Sequence, residues 1–387
     1  MYRRILAFDF DGTLAEHDAV PPNLQEMLQQ LNLAGCTLFL VTGRRYEAAP
    51  LGTLRQAFAG IVWENGAVFS RTNTGEVYMP FGYVPPDLIS ALEDAGVPLE
   101  YGLAIVSTWA EHEGKVLEVL RRRGGGASFE RNKGAVMLLP PGATKGTGLE
   151  KLLEMCGYSP RNVITFGDGE NDFALLQIGE AGITVADGVP ALRDMADLVT
   201  GEPGPAGVYH ALERYWINGS PLDIPSRNPR WIPLGQDQED NPFFMPASEL
   251  VGRNTGIFGD SGSGKSWIAG LLAEELHLSG YQVLMVDPEG DFRGMNTLSG
   301  MLAINGDEHT LPAPNIVVTF LAETPRSIVL DLCGYPVSLR DEYVSSLFRS
   351  LYPLREHLVR PHWVVLDEAQ HFLSDENTVL PRTVLSM

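Results

Sequence analysis

The stretch "RRILAFDFDGTLAEHD" (residues 3–18) places two aspartates, Asp9 and Asp11, where a short apolar run ends. Such a run predicts a buried strand, and carboxylates are costly in a buried place unless something there needs them. The same chain carries a glycine-rich loop, "GDSGSGKS" (residues 259–266), of a kind that binds phosphates. The sequence therefore contains two candidate sites, one in its first third and one in its last third.

The bulk composition is that of a soluble globular protein of two or three domains. The chain has 387 residues, of which 44% are hydrophobic and 20% charged. No apolar window approaches the ~18–20 residues of a membrane span, and the three separated cysteines indicate buried thiols in a reducing cytoplasm. The net charge of -21 argues against broad nucleic-acid binding, although it leaves open a basic groove within an acidic assembly.

Up to about Trp216, apolar runs without alternation are separated by helical patterns. In the first helical pattern, Leu24, Met27, Leu28 and Leu31 fall on one face. Strand, helix and strand in this order predict an α/β domain with a parallel sheet.

A smaller α+β insertion and a proline-rich linker interrupt this organisation, and a second α/β pattern follows. We predict four segments: a Rossmann-like core (1–79 and 142–216), a cap (80–141), a linker (217–230) and a P-loop domain (231–387).

Polar residues follow the predicted strands of the first domain, at the edge of a parallel sheet where ligands gather. Converging carboxylates would repel one another unless a hard cation such as Mg²⁺ held them, and one could then attack phosphorus. The residues of this candidate site are Asp9, Asp11, Thr42, Gly43, Lys145, Asp168, Asn171 and Asp172.

The motifs "DFDGTL", "VTGR", "TKG" and "GDGEND", in this order, resemble those of the haloacid dehalogenase superfamily, in particular its Cof-type phosphatases. "WENGA" (residues 63–67) is similar to the segment that precedes a C2-type cap in that group. The resemblance covers about residues 1–216. It implies a Mg²⁺-dependent phosphatase that acts on a small phosphorylated substrate.

The resemblance also assigns roles to the residues of this site. Asp9 would be the nucleophile, and Asp11 the general acid/base that also gives its backbone carbonyl to Mg²⁺. Asp9, Asp168 and Asp172 would complete the metal site. The substrate phosphate would be bound by Thr42, Gly43, Lys145 and Asn171.

Two questions stay open for this domain. A mutase or dehalogenase of the same superfamily is an alternative, although an acid/base at Asp11 favours hydrolysis. In the cap, polar residues at Glu111, His112, Arg121, Arg122 and Arg123 are either substrate contacts or a solvated helix face.

The loop of the second site fits G-x-x-x-x-G-K-[ST], follows the strand-like "TGIF" and precedes a helical pattern. Its backbone N–H groups would cradle the phosphates of ATP, Lys265 would reach the β- and γ-phosphates, and Ser266 would bind Mg²⁺. The apolar run "HWVVLDEAQ" supplies Asp367 for the metal and Glu368 to polarise water. The predicted ATP-binding residues are Gly259, Asp260, Ser261, Gly262, Ser263, Gly264, Lys265 and Ser266.

From about Trp231 onward the chain resembles the HerA/FtsK group of motor ATPases, with "VDPEGDF" (residues 286–292) as the more specific signal. The resemblance implies ATP hydrolysis in a homo-hexameric ring, often acting on DNA. Only nineteen residues follow Glu368, and Arg382 is a lone candidate for an arginine finger. We therefore expect a fragment or truncated domain that binds nucleotide, and leave open whether it hydrolyses ATP alone.

Two alternatives to a phosphatase fused to an ATP-binding domain remain. In the first, the motor ATPase is the principal activity and the phosphatase domain is accessory. In the second, the chain is a polynucleotide kinase–phosphatase, against which stand the cap, the glutamate of "VVLDEAQ" and the absence of a basic stripe.

Overall fold

The computed structural model describes residues 4–132, 134–224, 230–250, 254–307 and 309–373. These residues fall into two compact units, 4–224 and 230–373. Arg382 lies outside the described residues. No described helix combines the length and the apolar character needed to cross a membrane.

The first unit is built on a mixed sheet whose central strands are parallel. Its strands, in chain order, are β1 (Ile5–Asp9), β2 (Thr37–Val41), β3 (Phe58–Trp63), β4 (Val68–Arg71), β5 (Val77–Tyr78), β6 (Glu100–Tyr101), β7 (Val106–Trp109), β8 (Ser128–Asn132), β9 (Ala135–Leu139), β10 (Val163–Gly167), β11 (Ala181–Thr184) and β12 (Leu198–Val199). The main sheet has the order β12-β11-β10-β1-β2-β3-β4-β5, in which only the last two strands run antiparallel to their neighbours.

The helices of this unit pack on the main sheet and in the insertion. They are α1 (Pro22–Leu33), α2 (Pro86–Asp94), α3 (Glu113–Arg123), α4 (Lys145–Met155), α5 (Phe173–Ile178), α6 (Pro190–Met195) and α7 (Gly204–Leu212), the last continued by a π-helical turn, Glu213–Ile217. Every residue of β1 and β10 is buried, as expected for central parallel strands. The four residues predicted for the apolar face of α1 are its buried residues. The predicted α/β class is confirmed.

The insertion has its own antiparallel sheet, in the order β6-β7-β9-β8. One face of this sheet packs against α2 and α3 through Val106, Val136 and Leu138. The helix-like "PPDLISALEDAG" and "GKVLEVLRRR" and the strand-like "GLAIVSTW" and "GAVMLLP" predict α2, α3, β7 and β9, but no pattern predicts β6 or β8. Strand β8, "SFERN", is polar at most positions and obtains its backbone partners only from β9, so the sequence pattern alone did not reveal it.

The second unit is also an α/β structure. Its strands are β13 (Trp231–Gln236), β14 (Pro242–Pro246), β15 (Val283–Asp287), β16 (Met301–Asn305), β17 (Ser327–Asp331) and β18 (Trp363–Leu366), and its helices are α8 (Lys265–Leu278), α9 (Pro314–Glu323) and α10 (Val337–Leu358). Strands β13 and β14 form a hairpin, and the parallel sheet has the order β16-β17-β15-β18.

The strand predicted at "TGIF" (residues 255–258) was wrong. These residues have no strand structure, and Phe258 is 93% exposed. A strand needs a neighbour for its backbone groups, and in the described residues β18 pairs with β15 alone. The apolar pattern of residues 255–258 was therefore not sufficient to place them in the sheet.

Candidate active site and nucleotide-binding loop

Three adjacent parallel strands bring the predicted residues of the first site to one edge of the sheet. Strand β1 ends at Asp9, β2 is followed by Thr42, and β10 is followed by Asp168. Because β1 pairs with both β2 and β10, these strand ends are neighbours. Thr42 is fully buried, and its hydroxyl accepts a hydrogen bond from the backbone N–H of Arg44 at 3.1 Å, whereas the adjacent Gly43 is partly exposed.

Lys145 lies at the centre of the site. It is the first residue of α4, which begins after a capping box formed by Thr144 and Thr147. Its buried ammonium donates to Asp9 Oδ1 at 2.5 Å and to Asp172 Oδ1 at 2.6 Å. The other oxygen of Asp172 accepts from the backbone N–H of Asp168 at 2.9 Å and so fixes the turn that follows β10. The structure thus joins Asp9, Lys145, Asp168 and Asp172.

The charges in this buried cluster alter its protonation equilibria. The pKa of Asp9 lies well above its ordinary value, mainly because of burial and then because of the Asp172 charge, while Lys145 opposes both effects. Burial alone would lower the pKa of Lys145, but the charges of Asp172 and Asp9 raise it above its ordinary value. Lys145 is therefore held as a cation between two carboxylates.

The carboxylates fit a divalent cation. Asp9, Asp168 and Asp172 each bring an oxygen atom within 4.8 Å of the others. Among the described contacts, Lys145 is the cation that pairs with both Asp9 and Asp172. A set of carboxylate oxygens suits Mg²⁺.

Asp11 lies apart from this cluster of carboxylates. Its side chain accepts two hydrogen bonds from the Arg44 guanidinium, at 2.8 and 2.5 Å, and Arg44 also pairs with Asp18. The sequence predicts that Asp11 gives its backbone carbonyl to the metal, and this stays a prediction. The role of Arg44 as its partner was missed, although the residue belongs to the quoted "VTGR" motif.

The backbone requires a glycine at position 12, directly after Asp11. The φ of 91° at Gly12 lies in the left-handed region, and a Cβ atom at this position would come within 2.3 Å of Asp168 Oδ2. The hydroxyl of the next residue, Thr13, donates to Asp168 Oδ1 at 3.4 Å. The "DGT" turn therefore packs directly on the end of β10.

Asn171 and Glu64 connect the site to the insertion. The amide of Asn171 donates to Asn65 Oδ1 at 3.0 Å, and Asn65 in turn donates to Met137 Sδ on β9 at 3.2 Å. The fully buried Glu64 accepts from the backbone N–H groups of Leu103 and Ala104, at 2.8 and 2.9 Å. The motif "WENGA" gives no signal of these contacts in the sequence, because the partners lie about 40 to 110 residues away in the chain.

The polar cap residues that the sequence offers as substrate contacts are paired with other side chains or are exposed. Glu111 and His112 form a pair with each other at 3.3 Å. Arg122 pairs with Glu118 along α3, Arg123 pairs with Asp87 of α2, and Arg121 is exposed. These contacts favour the interpretation of a solvated helix face.

The glycine-rich loop of the second unit precedes α8, which begins at Lys265. Gly262 and Gly264 adopt left-handed φ values of 77° and 93°. The Lys265 ammonium donates to the backbone carbonyl of Asp260 in the same loop at 3.1 Å, and residues 254–264 are exposed. An exposed loop with a lysine at the start of a helix is suited to binding phosphate.

The two acidic residues predicted for ATP chemistry follow β18. Asp367 is buried, its Oδ2 atom has no hydrogen-bond partner among the described residues, and burial raises its pKa. Glu368 adopts a left-handed φ of 47° and contacts Gln370. No hydrogen bond or ion pair in the described residues joins Asp367 or Glu368 to residues 259–266. That these groups act on one nucleotide therefore stays a prediction.

The Asp287 side chain binds the backbone of the "VDPEGDF" motif. This buried residue ends β15 and accepts from the backbone N–H groups of Gly290 and Phe292 at 2.7 and 2.9 Å. In the neighbouring strand, Asp331 stands in register with Asp287 and pairs with Arg293. Sequence reasoning missed this pair, since Arg293 lies 38 residues before Asp331.

Comparison with known families identifies both units. Residues 6–81 and 103–212 match a family described as haloacid dehalogenase-like hydrolase, and residues 232–373 match the family described as helicase HerA, central domain. Both resemblances predicted from the motifs are thereby confirmed.

Individual relatives match the first unit. Phosphoglycolate phosphatase 2 of Saccharolobus solfataricus is 26% identical over 218 residues, which are 54% of this chain and 91% of the relative. The phosphoglycolate phosphatase of Methanothermobacter thermautotrophicus is 29% identical over 226 residues, 55% of this chain and 98% of the relative. A solved haloacid dehalogenase-like hydrolase from Bacteroides thetaiotaomicron gives a TM-score of 0.50 at 21% identity, covering 55% of this chain and 99% of the other. This last likeness concerns the fold alone.

Proposed function

Because the chain joins a haloacid dehalogenase-like hydrolase domain to a HerA central domain, we propose that its first unit is a Mg²⁺-dependent phosphatase. It would hydrolyse the phosphate monoester of a small metabolite through an aspartyl-phosphate. The observation that carries this proposal is the buried contact of Asp9 with Lys145, next to the carboxylates of Asp168 and Asp172. The relatives named phosphoglycolate phosphatases support a small phosphorylated substrate.

In this mechanism Asp9 is the nucleophile. The Lys145 ammonium donates to Oδ1 of Asp9, so we assign the attack on phosphorus to Oδ2. Asp11 would first leave its contact with Arg44 and carry a proton. As the phosphorus–oxygen ester bond breaks, the ester oxygen would leave with its electron pair and take that proton, giving an alcohol and the aspartyl-phosphate. A water molecule would then attack phosphorus, pass its proton to Asp11 and release free Asp9 and phosphate.

The surrounding residues would hold the phosphoryl group. Thr42, Lys145 and Asn171 would donate to its oxygen atoms, with Lys145 already oriented by Asp9 and Asp172. Asp9, Asp168 and Asp172 are the residues that would hold Mg²⁺. When bound, the ion would offset the negative charge that carboxylates and phosphate bring together.

Phosphate release from a panel of small phosphoesters tests this proposal. We expect the full chain to hydrolyse at least one non-nucleotide ester with Mg²⁺ and to lose about 100-fold or more of its rate with excess chelator. A Lys265→Ala variant serves as the matched control, because it alters the second site alone and should hydrolyse the same ester at the wild-type rate. A panel in which only ATP is cleaved, and only by the chain with Lys265, would contradict a phosphatase.

For the second unit we propose ATP binding at residues 259–266, with hydrolysis in a homo-hexameric ring. The match to a HerA central domain and the exposed loop before α8 support the proposal. If DNA stimulated this hydrolysis, the motor would be the principal activity and the phosphatase an accessory. Sedimentation of the full chain with ATP would separate a hexamer from a monomer.

Replacing Lys265 by alanine is expected to weaken ATP binding about 10-fold or more, because a charge-assisted contact to phosphate is lost. Calorimetric titration of the full chain with ATP and Mg²⁺ measures the change. Arg349→Ala, on the exposed side of α10, is the control and should bind like the wild type. If the wild type and both variants bound ATP with equal affinity, residues 259–266 would not be the ATP-binding site.

A further inference from the structure

The cap sheet presents a row of three side chains toward the core of the first unit. Ser107 on β7 and Glu130 on β8 both stand directly opposite Met137 on β9. Residues directly opposite in an antiparallel pair project from the same face of a sheet. Ser107, Met137 and Glu130 therefore share one face.

Contacts of Met137 identify which face this is. Met137 packs in the same hydrophobic cluster as Trp63 of β3, and its sulfur accepts from Asn65, the partner of Asn171. The alternate residues of β8 point the other way: Phe129 packs with the cluster of cap helices, and Arg131 pairs with Glu113 of α3. Glu130 therefore lies on the face that looks toward the site.

Glu130 is also close to the charged residues of that site. Its strand packs against the turn Glu170–Asp172. Its Oε2 atom is shielded from solvent and has no hydrogen-bond partner among the described residues. Burial raises the pKa of Glu130 to about 7, with Lys145 acting to lower it and Asp172 to raise it.

We infer that Glu130 is a specificity-determining residue that contacts the leaving group of the substrate from the cap side. It favours phosphate monoesters whose leaving group carries a hydroxyl or ammonium group, and it disfavours those that carry a carboxylate. The inference rests on the proposed phosphatase function and names its substrate class.

The chemistry of a shielded carboxyl group supports this selectivity. A buried acceptor without a partner is costly, and a donor on the substrate would remove that cost. A substrate carboxylate offers that oxygen atom no donor and adds negative charge to a site already rich in carboxylates, and like charges at close range are strongly unfavourable. A site whose buried acceptor requires a donor on the substrate discriminates between leaving groups of similar size.

Phosphoglycolate is the informative probe, since the relatives are named for it and its leaving group carries a carboxylate. O-phosphoethanolamine matches it in length but carries an ammonium group. The experiment compares kcat/KM of the full chain for these two esters and for glycerol phosphate. It uses wild type, Glu130→Gln and, as control, Glu113→Gln on the opposite side of the cap.

We expect wild type to prefer phosphoethanolamine or glycerol phosphate over phosphoglycolate by about 10-fold or more. Glu130→Gln should reduce that ratio by about 10-fold, mainly through a lower KM for phosphoglycolate, while Glu113→Gln leaves it unchanged. The inference is overturned if wild type prefers phosphoglycolate, or if Glu130→Gln changes all three esters equally or not at all. In those cases the phosphatase proposal survives. If wild type hydrolyses no ester of the broader panel, the phosphatase proposal fails and the inference falls with it.

Discussion

Asp9→Asn is expected to lower the phosphatase kcat by roughly 10³-fold or more, with little change in the folded structure. Asparagine keeps the shape of the side chain, and its Oδ1 can still accept from the Lys145 ammonium that donates to Asp9 in the wild type. An amide, however, is too poor a nucleophile to form the acyl-phosphate bond. The loss should therefore fall on turnover and not on substrate binding.

The measurement is phosphate release from the best non-nucleotide ester of the panel, with Mg²⁺ in excess. Asp194→Asn makes the same change on an exposed residue of α6, and we expect it to match the wild type. Circular dichroism checks that both variants are folded. A folded Asp9→Asn protein that retained most of its turnover would show that Asp9 is not the nucleophile, and the four motifs would then mark a fold that serves another purpose.

Lys145→Ala is expected to slow phosphate release strongly and to destabilise the first unit when Mg²⁺ is absent. The buried ammonium contacts both Asp9 and Asp172. Removing one partner from a buried ionic contact typically costs about 3–5 kcal/mol, because the remaining charges lose their compensation. Turnover should fall about 100-fold or more, since the same ammonium would stabilise the phosphoryl oxygens.

Mg²⁺ should stabilise Lys145→Ala more than it stabilises the wild type, because the variant site carries one positive charge fewer. Thermal unfolding of the full chain, with and without Mg²⁺, measures this difference. Lys151→Ala is the matched control: Lys151 lies on the same helix, is about half exposed and pairs with Glu154 at 2.9 Å. It should alter stability by less than about 1 kcal/mol. If Mg²⁺ shifted all three proteins equally, the cation would not bind at the carboxylates beside Lys145.

Local sequence patterns were sufficient to predict the buried strands and the apolar helix face of this protein. Buried strands such as β1 and β10 and the apolar face of α1 follow from the spacing of their side chains. The ends of neighbouring parallel strands must meet at one edge, so the convergence of Asp9 and Asp168 could also be predicted.

Contacts between distant segments could not be predicted in this way. Arg44 binds Asp11 across 33 positions, and Glu64 binds the backbone of Ala104 across 40. Glu130 belongs to a polar strand whose facing direction depends on its pairing with β9. The strand predicted at residues 255–258 was wrong for the same reason. An apolar run forms a strand only where a neighbouring strand takes its hydrogen bonds.

The sequence by itself thus determined the α/β class and the two families, because short-range periodicity and motif spacing encode them. Only the tertiary structure decided which charges compensate one another and which cap side chain looks toward the site. Those choices depend on distances of a few ångströms between residues far apart in the chain, as for Lys145 and Asp9. At such distances, burial and Coulomb interactions set the energies, and no local pattern records them.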